Sequence, residues 1–489
     1  MSIGGIDYLD GLPEGHESLD PNLGDIALLT ADLRAHRPYY KLLRDYYDGK
    51  QEIKFAGEKL QTAFGEELAE LVCNRIQPAV DALSDRLQVL GFSSADGATD
   101  QDAARIWAAN DMDKGQGELH TEALTTGDGY LIVWPDLDGQ PRIYVNSADS
   151  IAVIYDTEIP GKKRVAAKTW RRADRRWRLN LYYEDRLEKY VTRSAITGDD
   201  APEDPNIYEP YSDPDDLAWP IRYDPAWGNI VPVFHFANNA RTGQYGKSEV
   251  APLISLQNRL NMTLANLAVA EEFQSYRQRW ATGIQPVLDP ETGKPVSPFQ
   301  AGAGQLWIAT AKEAAFGDFE AADLAMFGDT AEGHEVRIAR TARIPLYHLL
   351  QSGAPESGEG LKTAEEPFVA KIRDRQKSFG PEHGRAMEHA LRIAGKSNAQ
   401  LRTIWQRAET RDDREFWEVA AIRREMGVSP QQILREYGYS DKEIEKFREE
   451  IAEHTQLMTG LAAQAFNQGV ALDEAPAGEG DEDDEDAAA

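Results

Sequence analysis

Asn229-Ile230-Val231-Pro232-Val233-Phe234-His235-Phe236-Ala237-Asn238-Asn239 opens the stretch, ending near Gly360, from which the fold of this chain is read. An apolar run of this length, closed by two asparagines, is a strand with a turn behind it. A helix is predicted from Ser248 to about Arg279. Leu253, Leu256, Leu260, Leu264 and Leu267 fall three or four residues apart and share one face. At ~1.5 Å per residue such a helix is a rod of roughly 45 Å. Short extended pieces follow, Gln285–Leu288 and Gln305–Ile308, among glycines and prolines. A second helix is predicted from about Ala322 to Arg343. Beyond Ile344-Pro345 comes a loop reaching Gly360, and then a third helix from Leu361 to about Ala394, with Ser357 as candidate N-cap. Pro367 lies inside that pattern and is expected to kink or divide the helix. Two rods alone cannot bury a core between them. They need neighbours, and copies of the same pair around an axis would supply them.

Working outward, residues 1–25 show no apolar period and read as a flexible arm. A helical region covers about Ile26 to Leu90, with the phrases Tyr39-Tyr40-Lys41-Leu42-Leu43-Arg44-Asp45-Tyr46-Tyr47-Asp48-Gly49 and Asn74-Arg75-Ile76-Gln77-Pro78-Ala79-Val80. The paired tyrosines could stack on bases, but packing on an amphipathic helix is the plainer reading. Two helices, Asp102–Asn110 and Lys114–Thr126, precede an antiparallel region. Its strands are Tyr130–Trp134, Arg142–Val145, Ile151–Tyr155, Arg164–Arg172, Arg176–Tyr183 and Glu188–Thr192, with Asp138-Gly139 as a hairpin turn. Residues 198–228 form an acidic, proline-rich loop that Tyr208, Tyr211, Trp219 and Trp227 are expected to pin down. Past Trp405 come two short helices. Ser429-Pro430 is the cap and first position of one, and Ser440 and Glu443 are spaced as a capping box for the other. From about Ala471 the chain is acidic and reads as disordered.

The chain has 489 residues and a net charge of −30, with nine of its acids between Asp473 and Asp486. Tight DNA binding ordinarily needs a basic surface, so composition argues against gripping nucleic acid. No run of eighteen apolar residues exists, so no membrane span is expected. The N-terminus lacks the pattern of a signal peptide. One cysteine, Cys73, excludes an intrachain disulfide and suits a reducing cytosol. It lies in a helical apolar pattern and reads as a buried structural cysteine.

Chemical motifs are few. Gly243-Gln244-Tyr245-Gly246-Lys247-Ser248 imitates a phosphate loop, but only two residues separate its glycines and Arg241 stands where the first glycine is required. Gly395-Lys396-Ser397 fails likewise. His334-Glu335 has no second histidine at zincin spacing, and His383 and His389 are six apart, so no metal is expected. No cofactor is expected either. The segment 162–178 is basic, with Trp170 and Trp177 interleaved. Alternating strands would divide those charges between two faces, which favours a solvated hairpin or a contact with an acidic neighbour over DNA. The loop Pro345–Gly360, with three glycines and two prolines, is long for a helix joint, and long loops tend to be functional or mobile.

The order strand, rod, small β excursion, rod, glycine-rich loop, long helix resembles the portal (head–tail connector) proteins of tailed bacteriophages, in the variant of long-tailed phages of actinobacteria. So do the two N-terminal phrases ending in Leu90-Gly91-Phe92, and Ser357–Glu365 with Arg375–Gly380. The resemblance spans about residues 27–460. It implies an α+β, mainly helical fold: a wing over 26–240, stem helices over 241–279 and 322–344, a small α/β clip over 280–321, a tunnel loop over 345–360, a long kinked helix over 361–398, a helical crown over 399–465 and a tail over 466–489. It implies no catalytic residues. Leu346, Tyr347, His348, Leu349, Leu350, Gln351, Ser352 and Glu356 would line the narrowest part of a channel. The implied protein is a ring of about twelve subunits at one capsid vertex, in the virion and, during assembly, in the host cytoplasm. It would nucleate head assembly, pass double-stranded DNA without sequence specificity, and dock the terminase large subunit, head-completion (adaptor) proteins, and major capsid and scaffold proteins. A nucleotide-dependent motor or nuclease of the packaging machinery is the alternative, and a cytosolic scaffold that makes no ring is a third.

Overall fold

Alternation of apolar side chains along residues 128–192 builds most of the sheet structure. The computed structural model describes residues 24–51, 73–94, 99–212, 219–275, 279–283, 287–288, 290, 292–293, 295–296, 313–318, 324–350, 358–396, 400–409, 413–437, 439 and 441–467. The arm, the tail, Ser357, Ser440 and most of 284–323 lie outside them. The chain divides into two compact units, 1–409 and 410–489.

In the first unit, α1 (Asp25–Tyr47) and α2 (Ile76–Ser84) lead to β1 (Val89–Ser93), then α3 (Gln101–Ala109) and α4 (Met112–Thr126). Asp100 caps α3, its carboxylate accepting from the amides of Asp102 and Ala103. Gly127 ends α4 in the left-handed conformation and turns the chain into β2 (Asp128–Pro135), which pairs with β3 (Pro141–Asn146) through the Asp138-Gly139 turn. The strand β10 (Val233–Ala237) pairs with the other edge of β2, giving the order β10-β2-β3. A second antiparallel sheet runs β4 (Ile151–Tyr155), β5 (Lys163–Arg171), β6 (Trp177–Tyr182), β7 (Arg186–Thr192), β8 (Tyr208–Pro210), with β9 (Ile221–Arg222) also on β7. The helix α1 packs on β4 and β5, and α4 on β2.

Two helices follow β10. The first, α5 (Ile254–Ser275), is entered through a 3-10 turn at Ala251–Leu253, and the second is α6 (Ala325–Ala342). Both are shorter than their sequence spans. Ser248 nonetheless acts as a cap, because its hydroxyl accepts from the amides of Val250 and Ala251. Between them lie two small antiparallel pairs, β11 (Arg279–Thr282) with β14 (Ala315–Asp318), and β12 (Val287–Leu288) with β13 (Pro295–Val296). The long helix α7 (Gly358–Ile393) contains Pro367 and Pro381 and is divided by neither. It packs on β10, β2 and β3, and tertiary packing of that kind offsets the amide hydrogen bonds the prolines omit. β15 (Arg402–Trp405) pairs with β1, which ties residues 400–409 to the first unit. The principal core gathers α2, α4, α5, α6 and α7, with Phe92, Phe236, Phe368 and Phe379 among its largest members.

The second unit holds α8 (Asp413–Glu425), α9 (Pro430–Tyr437) and α10 (Asp441–Asn467). Ser429 caps α9 through the Gln432 amide. Phe416, Trp417, Tyr437, Tyr439 and Phe447 stack in a chain with ring centroids 4.8–5.3 Å apart.

The model's mixed architecture is an α+β fold in which helix predominates.

Candidate functional site

The pattern of leucines on α5 decides how the paired helices sit. Leu253 and Leu260 are fully buried in the principal core, Leu256 and Leu264 pack partly against it, and Leu267, further along, is half-buried. The same helix carries buried polar groups. Gln257 bonds the Cys73 carbonyl (2.5 Å) and the Arg75 amide (3.0 Å), while Asn261 accepts from the Cys73 amide (3.2 Å). These amides tie the entry to α2 onto α5. They also correct the reading of Cys73: it lies outside a helix and is only half-buried, and burial pushes its thiol up. Arg75 reaches Glu335 of α6 at 2.5 Å, so the same segment bridges both helices.

On α6, Ala331, His334, Glu335, Ile338, Ala339 and Ala342 are buried, whereas its first turns are exposed and Met326 is 61% accessible. The pair is therefore seated in the chain's own core where α5 begins and α6 ends. This corrects the expectation that the two rods lack partners within one copy: α2 and α7 supply apolar surface there. At the opposite ends, Leu288, Trp280 and Phe316 of the small β pairs are exposed.

A charged lock holds the seated end. Glu249, just before α5, pairs with Lys371 and Arg375 of α7, each at 2.7 Å, and accepts from the Asn238 side chain (3.0 Å). Lys371 also donates to the Ala342 carbonyl at the end of α6 (2.8 Å). Burial alone would raise the Glu249 carboxyl, but the two cations hold it down at about 2. Burial depresses the Lys371 ammonium, partly offset by Glu249.

The loop root follows. Arg343 ends α6 in the left-handed conformation, and Pro345 leads a 3-10 turn, Leu346–His348. Ile344 and Leu349 are buried, and Leu346 packs partly on the core. Tyr347 donates to Glu365 of α7, with the Arg86 guanidinium 3.9 Å from the same carboxylate. His348 lies against Phe368, ring centroids 5.7 Å apart, and burial, with Arg86 nearby, pushes its imidazole down. Leu350 is half-buried. Gln351, Ser352 and Glu356 lie outside the described residues.

The phosphate-loop look-alike is filled by protein. The Gly246 amide donates to Asp128 (2.7 Å), the Lys247 amide to the Asn238 carbonyl (2.6 Å) and the Glu249 amide to the Leu124 carbonyl (2.9 Å). Those N–H groups are the ones a phosphate would require. Gly246 is there for close approach: a Cβ on it would lie 1.9 Å from the Gly127 carbonyl oxygen. Gly246→Ala is expected to destabilise the chain by about 1–3 kcal/mol, the usual range for overpacking, measured as a urea midpoint shift at unchanged slope.

Beneath that loop lies a network the sequence reading missed. Asp128 accepts from His235 Nε2 (2.7 Å) and Tyr40 (2.8 Å), Tyr155 bonds His235 Nδ1 (2.7 Å), and Tyr245 donates to Asp32. Tyr, His and Asp in this order suggest proton relay, but the His235 and Asp128 side chains are fully enclosed, so no substrate reaches them. Asp128 had been read only as part of a Gly-Asp-Gly turn. His383 meets His120 of α4, Nε2 to Nε2 at 2.9 Å, walled by Trp107, Phe236, Phe379 and Trp405. Among the described residues no cluster of His, Cys, Asp or Glu could hold a metal, and no helix is long and apolar enough to cross a membrane.

The other sequence candidates are structural. Tyr40 and Tyr46 are buried, and Tyr47 bonds Asp81 (2.6 Å). The basic hairpin is largely paired within the chain: Arg171 with Asp199, Arg176 with Glu209, Lys163 with Glu382, and Arg164 with Asp25. Arg178 stacks over Tyr211, and Trp219 bonds the Lys189 carbonyl (2.8 Å), which pins the acidic loop.

Three solved structures are similar at 14% identity. They are the virion of a native gene transfer agent particle (TM-score 0.37, 75% of this chain and 86% of that one), the neck of an empty gene transfer agent particle computed with C6 symmetry (0.42, 78% and 92%), and the neck of a native particle computed with C12 symmetry (0.40, 79% and 93%). No curated protein matches the chain. The family model "Phage portal protein, SPP1 Gp6-like" matches residues 26–457. With that match covering nearly all of the chain, the protein belongs to the phage portal protein family of the SPP1 Gp6-like type.

Proposed function

We propose that this portal-family chain is the subunit of a ring-shaped conduit of about twelve copies at one capsid vertex, part of the virion and assembled in the host cytoplasm. The ring nucleates head assembly, admits double-stranded DNA during packaging and releases it on ejection. The observation that carries this reading is the family match over residues 26–457. The paired helices support it: α5 and α6 are anchored at one end and exposed at the other, as staves of a wall would be.

In this reading α5 and α6 are the stem, the small β pairs the clip, the sheets the wing and the second unit the crown. The loop after α6 reaches the DNA. Leu346, Tyr347, His348 and Leu349 form its root, clamped through Glu365, and Leu350, Gln351, Ser352 and Glu356 are the part that touches the duplex. Contact is through backbone phosphates and therefore indifferent to sequence. The acidity of the chain keeps DNA from adhering, so that it slides. The terminase large subunit and head-completion (adaptor) proteins dock on the ring's exposed ends, and major capsid and scaffold proteins surround it.

Negative-stain microscopy of the purified full-length chain tests the proposal. Annular particles with a central hole are the expected result. A species of single-chain mass, alone and also when mixed with its capsid and scaffold proteins, overturns it.

A further inference from the structure

The second unit exposes two apolar stripes that its own packing leaves open. On α8, Val419, Ile422 and Met426 fall at i, i+3 and i+7, opposite the buried Ala420, and are 45%, 55% and 80% exposed. On α10, Ile444, Ile451 and Met458 are seven apart and share one face. Ile444 is buried, near where α9 packs on α10 and Tyr439 meets Phe447. Beyond α9's reach, Ile451 and Met458 are 65% and 54% exposed. The core face of α10 therefore outruns the partner that its own unit provides.

The two stripes match. Each spans seven residues, about 10 Å of helix. The last turn of α8 carries Arg423 and Arg424, and Glu449, Glu450 and Glu453 surround Ile451 on α10. Opposite charges come together when the Met426 end of one stripe lies on the Ile451 end of the other, which sets the helices antiparallel. A ring needs a heterologous contact between two different patches of one chain, and these patches are different. From this we infer that α8 of one copy covers the exposed seam of α10 of the next copy, antiparallel, with Met426 beside Ile451 and Val419 beside Met458. This inference rests on the ring reading above and names one of its interfaces.

Disulfide trapping of the full-length chain tests it. The unaltered chain, whose only cysteine is Cys73, is the control. Under mild oxidation Met426→Cys/Ile451→Cys is expected to give a ladder of covalent multimers ending in a closed ring, and Met426→Cys/Met458→Cys is not. Rings by microscopy without the first ladder, or with the second in its place, overturn the interface and leave the ring reading standing. The first ladder without rings sustains the contact and removes the ring. Neither ladder nor rings removes both. Charge exchange gives an independent readout. Arg423→Glu/Arg424→Glu and Glu449→Arg/Glu450→Arg are each expected to raise the concentration for half-assembly about tenfold, and to restore it largely when combined. Folded single exchanges, checked by circular dichroism, that leave assembly unchanged overturn the inference.

Discussion

Glu249→Ala is expected to destabilise the fold by about 3–5 kcal/mol, the cost of leaving buried charge without its partner. The carboxylate neutralises both Lys371 and Arg375, each with only 7% of its side chain exposed. Removing it leaves two cations in a poorly solvated space, and the Ala342 carbonyl cannot compensate both. Glu249→Gln keeps the shape and loses the charge, so it should cost nearly as much. Replacing the whole group by Glu249→Leu, Lys371→Met and Arg375→Met should recover most of the loss, since apolar side chains of similar volume need no partners. Urea unfolding of the four chains checks this; a fully destabilised triple variant would show that packing, not charge, is at stake. The lock also gives a pH dependence. A carboxyl held at about 2 in the folded chain, against about 4.3 unfolded, contributes stability above the unfolded value. That contribution fades as pH falls from there through about 2. Because Glu249 joins the start of α5 to α7, and Lys371 joins α7 to the end of α6, the same variant loosens the seat of both helices.

Acidification between neutrality and pH 4 is expected to weaken the fold steeply, well before any carboxylate lock opens. Burial holds His120 and His389 down at about 4 and His383 well below its usual value. The unfolded chain takes up these protons near 6.5 and the folded chain does not, so stability falls as pH falls through that window. His120 and His389 each contribute on the order of 3 kcal/mol of this loss. The geometry agrees: one imidazole of the His120–His383 pair must accept while the other donates, and a doubly protonated pair has no acceptor. Urea midpoints at pH 7, 5.5 and 4.5 should decline, and His120→Leu/His383→Phe should flatten part of the slope. A midpoint constant over this range would contradict the assignment of these histidines as buried and neutral.

Much of this protein was written in local periodicity. Strand alternation, the Asp138-Gly139 turn, the leucine spacing of α5 and the Ser429-Pro430 cap each depend on residues a few places apart, and each was legible. So were the phrases of the family, because their order along the chain is itself sequence. The contacts between distant segments were not. Asp128 and Gly246 are 118 residues apart, Glu249 and Arg375 126, His120 and His383 263, and no spacing rule joins them. The basic hairpin looked free because its acids, Asp25, Asp199, Glu209 and Glu382, come from elsewhere. Pro367 looked like a break because helix propensity counts a missing amide and not a sheet packed alongside. What the sequence by itself determined was the set and order of elements, since those arise from neighbours along the chain. Only the tertiary structure decided which polar groups were sealed from water and with whom they paired, because burial and pairing depend on long-range contact.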